Sequence, residues 1–109
     1  MPLINILTST EIKDKKLLDE ITILISSLTN KSKRFVMAKI EDDSEMFFEN
    51  QSTCFFVEIK LIGSIDNSEI TKPICNFIYE KIGIPLDKIY IRFEDFYASM
   101  WGWNGKTFG

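Results

Sequence analysis

The chain has 109 residues, 45% of them hydrophobic and 27% charged, with a net charge of −3. That length and balance fit one globular domain with a single core. The negative charge, scattered lysines and lack of a basic patch interleaved with aromatics exclude a nucleic-acid surface. No apolar run is long enough to span a membrane.

The first predicted element is a strand over residues 3–7, Leu-Ile-Asn-Ile-Leu. It follows Met1 and Pro2 directly, with no leader ahead of it, so the sequence reads as cytoplasmic. Proline is small enough for the initiator methionine to be cut away. Pro2 would then open the strand with a free secondary amine. Burial disfavours the charged form of an amine, which lowers its pKa from the α-amino reference of about 7.7–8.0 toward neutrality. Such an amine can act as a general base.

Thr8, Ser9 and Thr10 are expected to form a turn or the N-cap of a helix. Leu17, Leu18, Ile21, Leu24, Ile25 and Leu28 then fall on one helical face, and Asn30 suits a left-handed stop. A second strand is predicted over 35–40, with Phe35, Met37 and Lys39 on one side and Val36, Ala38 and Ile40 on the other. Residues 41–52 are a polar, acidic connection interrupted by Met46, Phe47 and Phe48, which read as a short helical turn or an apolar anchor.

The third strand, over 54–62, is closed by Gly63. A second helix follows over 68–82, its buried face marked by Ile70, Ile74, Phe77, Ile78 and Ile82. Pro73 must fall in its first two turns, since a later proline would kink it. Gly83 ends it and Pro85 prevents its resumption. The fourth strand is predicted over 89–93, and an aromatic tail fills 96–109.

The two halves, about 1–52 and 53–109, resemble each other. Ile4-Asn5-Ile6 corresponds to Val57-Glu58-Ile59 and Ile40-Glu41-Asp42 to Phe93-Glu94-Asp95, at a constant offset of 53. Two βαβ units give an α+β fold, a four-stranded mixed sheet with both helices on one face. The other face would carry Asn5, Lys39, Glu58, Lys60, Arg92 and Glu94. Such a face meets solvent or lines a water-filled channel in an oligomer.

Histidine is absent, which removes Ser–His and Cys–His couples and the usual imidazole-containing zinc sets. Cys54 and Cys75 sit in apolar company and read as buried thiols rather than a disulfide or a metal site. No cofactor or metal is expected. The tail concentrates Phe96, Tyr97, Met100, Trp101, Trp103 and Phe108 in thirteen residues. Either it is a hairpin sealing one edge of the sheet, or it forms an interface and a pocket wall, which so dense an aromatic cluster favours.

With Met-Pro at its start, Thr29-Asn30-Lys31, Leu61-Ile62-Gly63, residues 84–91 (Ile-Pro-Leu-Asp-Lys-Ile-Tyr-Ile) and residues 102–108 (Gly-Trp-Asn-Gly-Lys-Thr-Phe), the chain resembles the macrophage migration inhibitory factor family of the tautomerase superfamily over nearly its whole length. The resemblance implies a homotrimer around a central channel, with a pocket between subunits for a small aromatic keto acid. It implies Pro2 as catalytic base, with Lys31 and the backbone of Ile62 contacting substrate. Tyr90 would come from the adjacent subunit, and Trp103 and Phe108 would form an aromatic wall. Trp101 stands where vertebrate members carry a small aliphatic residue, and Arg92 where they carry asparagine. Arg92 is thus a candidate for binding a carboxylate, or a strand residue paired with Glu58 or Glu94. The C-x-x-C motif of some members is absent, Cys54 being followed by Val57. The reactions implied are keto–enol tautomerisation of phenylpyruvate or dopachrome type; the alternatives are a trimeric interaction protein with little catalysis, or another superfamily reaction on a small carboxylate.

Overall fold

Burial that alternates from residue to residue builds the sheet, and 3.6-residue periodicity builds the two helices that cover it. The computed structural model describes residues 2–63 and 65–109; Met1, whose removal the sequence argues for, lies outside the described residues. Strands β1 (Leu3–Thr8), β2 (Met37–Glu41), β3 (Phe55–Ile62) and β4 (Ile89–Phe96) form one sheet in the order β2-β1-β3-β4. The pairs β1–β2 and β3–β4 are parallel, and the central pair β1–β3 is antiparallel. Helices α1 (Leu17–Thr29) and α2 (Asn67–Ile82) provide the two crossovers. The tail folds into a separate hairpin of β5 (Gly102–Trp103) and β6 (Lys106–Thr107) that does not join the main sheet.

One sheet face is dry. Ile4 and Ile6 of β1 and Phe55, Val57, Ile59 and Leu61 of β3 are buried against Ile21 and Ile25 of α1 and Ile70, Ile74 and Ile78 of α2. The opposite face divides into zones. A charged belt crosses its middle, where Lys39 pairs with Glu41 at 2.8 Å and Arg92 bridges Glu58 and Glu94 at 2.8 and 2.7 Å. Apolar residues flank the belt: Leu3, Met37, Ile62 and Phe96 at one end, Leu7, Phe56 and Tyr90 at the other.

Both parallel pairs hold the same register: Leu3 opposes Met37 and Phe55 opposes Ile89, a separation of 34 residues in each. In the central pair Asn5 opposes Glu58, flanked by Ile4 with Ile59 and Ile6 with Val57. The two segments that match in sequence therefore lie side by side and head to tail, related by a local twofold axis through Asn5 and Glu58.

Two local expectations change, and two settle on one of their alternatives. Thr8–Thr10 form a turn and do not cap α1. The Thr8 hydroxyl donates to the Cys54 carbonyl at 2.8 Å and accepts the Thr10 N–H at 3.2 Å, tying β1 to the residue before β3. The chain turns into α1 at Asp14 instead, whose carboxylate accepts the Lys16 N–H and whose carbonyl accepts the Leu17 N–H. Phe35 belongs to a 3₁₀ turn, Lys33–Phe35, so β2 starts two residues later than expected. Residues 46–48 form the apolar anchor rather than a helical turn, Phe48 packing on Tyr90 with centroids 4.8 Å apart. Phe48 and Gln51 close a tight turn through Glu49 and Asn50, both at positive φ. Strand β4 continues past Phe93 because Glu94, Asp95 and Phe96 still have partners in Lys60, Leu61 and Ile62.

The helix stops follow the sequence. Asn30 and Gly83 are both left-handed C-caps, at φ 55° and 75°. Asp66 caps α2 by accepting the N–H groups of Ser68 and Glu69, and Pro73 lies near the end of the second turn.

Candidate active site

Pro2 is buried, and its carbonyl accepts the Met37 N–H at 3.1 Å, so β1 and β2 pair up to the residue before the first strand. This end of the sheet opens into a hollow of about 330 Å³ bordered by Pro2, Arg34, Phe35, Met37, Trp101 and Trp103. Its walls come from three places: the start of β1, the 3₁₀ turn before β2, and the tail. The turn is fixed by Ser32, whose hydroxyl accepts the Arg34 N–H at 3.3 Å. The tail is folded back by the Phe108 N–H, which donates to the Trp101 carbonyl at 3.1 Å.

The aromatic wall is a stack. Trp103 meets Phe35 edge-on, with centroids 5.3 Å apart, and lies nearly parallel to Phe108 at 6.1 Å. Trp101 packs against Phe96 at 6.0 Å. Arg34 lies over this wall, its guanidinium carbon 5.4 Å from the Phe35 ring and 5.7 Å from that of Trp103. Among the described residues, Arg34 has no carboxylate within ion-pair distance and its side chain makes no hydrogen bond.

The sequence candidates distribute unevenly around this hollow. Pro2, Trp101 and Trp103 line it, and Phe108 supports it from behind Trp103. Ile62 is the last residue of β3 and shares this end of the sheet. Lys31 follows the α1 cap, its N–H bonded to the Ser26 carbonyl, and its side chain is not among those bordering the hollow. Arg92 is engaged elsewhere. Glu94 first, then Glu58, hold its guanidinium protonated even more firmly than usual, so its charge is already matched on the open face.

Tyr90 is at the far end. It opposes Phe56, which opposes Leu7, five residues along the sheet from Pro2. At about 3.3 Å per residue the two are about 17 Å apart along the strand direction alone, beyond the reach of a tyrosine side chain. Tyr90 is 63% exposed and packs on Phe48 with centroids 4.8 Å apart.

Tyr90 also borders a second hollow, of about 160 Å³, with Phe48, Phe55, Phe56 and Lys88. The local twofold explains it. Adding 53 to Pro2, Leu3, Phe35 and Met37 gives Phe55, Phe56, Lys88 and Tyr90, and subtracting 53 from Trp101 gives Phe48. The second hollow is thus the counterpart of the first, with a phenylalanine in place of the proline. Buried Lys88 stands where Phe35 does, paired with Glu49 at 2.7 Å.

The sequence did not single out Arg34 or assign Phe35 to the site. The available signal was a cation directly before an aromatic; the partner ring, Trp103, lies far along the chain. Among the described residues no group of three or more His, Cys, Asp or Glu is arranged to hold a metal ion, and no helix is long and apolar enough to cross a membrane.

Comparison with known proteins gives a consistent result. A family model described as macrophage migration inhibitory factor matches residues 1–109. The macrophage migration inhibitory factor of Xenopus tropicalis is 30% identical over 96 residues, covering 84% of each chain. A macrophage migration inhibitory factor homologue from Prochlorococcus marinus superposes with a TM-score of 0.89 at 38% identity, over 98% of this chain and 99% of that one. The Trichinella spiralis structure gives 0.90 at 23% identity over 97% and 99%, a likeness of fold alone.

Proposed function

The chain belongs to the macrophage migration inhibitory factor family of the tautomerase superfamily, and from that premise we propose that it is a keto–enol tautomerase whose base is the Pro2 nitrogen, freed by removal of Met1. The observation that carries this reading is the burial of Pro2 at the edge of an aromatic hollow with a cation at its rim. Burial and nearby positive charge both favour the uncharged amine, the form that can accept a proton. In the proposed reaction the nitrogen takes the proton from the carbon beside a carbonyl, the C–H electron pair forms the new C=C bond, and the C=O π pair moves onto the carbonyl oxygen. Return of that proton to oxygen gives the enol; the reverse sequence gives the keto form. No cofactor enters this scheme. The ring of a phenylpyruvate- or dopachrome-like substrate would lie against Trp101, Trp103 and Phe35, with the Ile62 backbone and Lys31 at its margins.

The proposed assembly is a homotrimer. Pro2 and Tyr90 belong to one site only if two copies contribute to it, since a single chain holds them at opposite ends of the sheet. The open face supports this arrangement, because apolar residues at both ends of a charged belt are suited to subunit contacts around a wetted channel. The two buried, free thiols accord with a reducing, cytoplasmic setting.

The test is direct. Mass spectrometry of purified protein should show loss of Met1, since a retained methionine turns the Pro2 nitrogen into a non-basic amide. Wild type should tautomerise phenylpyruvate or dopachrome methyl ester, and Pro2→Gly should be slower by roughly 10²–10⁴-fold, the usual contribution of a positioned base. Equal rates for the two proteins would sink the base assignment. Absence of turnover on any keto acid would favour a non-catalytic interaction protein.

A further inference from the structure

We propose that Arg34 is the specificity-determining residue of the Pro2 hollow, recognising the carboxylate of a substrate whose planar apolar part lies against Trp101 and Trp103. This rests on the Pro2 hollow being the substrate site.

The reasoning starts from unspent hydrogen-bonding capacity. A guanidinium carries five donors in a fixed fork that matches a carboxylate. Several cations near the sheet are committed: Arg92 to Glu58 and Glu94, Lys33 to Asp19 at 2.6 Å, Lys39 to Glu41, Lys88 to Glu49. Arg34, like Lys31 and Lys106, has no acidic partner among the described residues, and of these three only Arg34 borders the hollow. Its placement is not that of a loose surface side chain. The backbone is held in a 3₁₀ turn capped by Ser32, and the guanidinium lies over two rings that also wall the hollow. Arg34 is exposed, and contact with the Phe35 and Trp103 rings biases the fork toward the hollow's rim while leaving its N–H groups unoccupied, which lessens the rotamer freedom lost on binding. A carboxylate at the rim would meet the fork, and a ring attached to it would reach Trp101, Trp103 and Pro2. Arg92, the residue the sequence nominated for this role, would first have to leave two carboxylates.

The chain's two tryptophans, Trp101 and Trp103, both line this hollow, so intrinsic fluorescence reports it directly. The experiment titrates full-length protein with 3-phenylpropanoate, which has no keto group to react, and with its uncharged methyl ester. Wild type should bind the acid more tightly than the ester. Arg34→Ala and Arg34→Gln should lose about tenfold or more for the acid, as expected for loss of a charge-assisted bidentate contact, and change little for the ester. Arg34→Lys should fall between, keeping charge without the fork. Added salt should weaken acid binding to wild type more than to Arg34→Ala.

The proposal is overturned if the acid binds wild type and Arg34→Ala equally, if acid and ester bind wild type alike, or if neither binds. It is equally overturned if Arg34→Ala and Arg34→Gln change the oligomer mass, which would mean that the partner of Arg34 is another chain. Failure of the Pro2 reading looks different. There, Arg34-dependent binding persists while wild type turns over no keto acid.

Discussion

If Pro2 and Tyr90 serve one site from different chains, two impaired variants should repair each other. Pro2→Gly removes the base but leaves Tyr90 available to a neighbour. Tyr90→Phe removes only a hydroxyl from a side chain that is largely exposed in the single chain. Loss of one hydrogen bond to a developing oxyanion costs about tenfold or more. Equal amounts of the two proteins, unfolded and refolded together, should assemble at random into mixed trimers. An intact site needs Pro2 from a Tyr90→Phe chain beside Tyr90 from a Pro2→Gly chain, so about one quarter of sites are restored in a heterologous ring. If Tyr90→Phe alone keeps about a tenth of wild-type activity, the parental mean is about a twentieth, and the mixture should exceed it about fivefold. Native mass spectrometry would verify mixed trimers, and the phenylpyruvate assay would read the gain. Verified mixed trimers with activity at the parental mean would refute the shared site. The sheet leaves little room for compromise, because about 17 Å of strand separates the two residues within one chain.

Three further outcomes follow from particular contacts. Thr8→Val should lower stability by about 1–2 kcal/mol, since it deletes a buried hydroxyl that serves both the Cys54 carbonyl and the Thr10 N–H; urea unfolding at fixed protein concentration should show a lower midpoint with unchanged slope. The Asp66 carboxyl is held below its ordinary value near 3.8 by the Ser68 hydroxyl and the Glu69 N–H. Its stabilising effect is therefore full above the unfolded carboxylate range and is lost as pH falls through the folded value. The stability gap between wild type and Asp66→Asn should close on acidification, and parallel acid-unfolding curves would contradict this. Arg92→Asn should leave both the urea midpoint and the selectivity among acids nearly unchanged, as exposed ion pairs contribute little and both partners of Arg92 lie on its own sheet face; a shift in acid selectivity would return Arg92 to the site, and a collapse in stability would make it a structural residue.

Much of the architecture was readable because it depends on local patterns. Alternation over residues 54–62 defines β3, and Asn30, Gly83 and Pro85 stop helices through backbone geometry belonging to those residues alone. The matched segments at an offset of 53 anticipated the repeated register. The errors came where a distant partner decides. Thr8 suits a turn and a helix cap equally until the Cys54 carbonyl claims its hydroxyl. Residues 94–96 look like a loop until Lys60, Leu61 and Ile62 arrive beside them. The site divides the same way. Pro2, Trp101 and Trp103 were nominated from sequence and do meet around one hollow, but Arg34 gains meaning only when the tail folds over it. Arg92, attractive as an isolated cation, is spoken for by two acids on its own sheet face.

The local twofold has an asymmetric outcome. Doubling a strand–helix–strand module multiplies everything except a terminus. The place equivalent to Pro2 is Phe55, deep in the fold, where the nitrogen is an ordinary mid-chain amide. One module can therefore host a basic nitrogen and its twin cannot, however closely their backbones agree. The twin keeps the same cleft in shrunken form and, in the proposed ring, lends its Tyr90 next door. Three reacting centres per ring, rather than six, is the arithmetic such a molecule should obey, and active-site titration can count them.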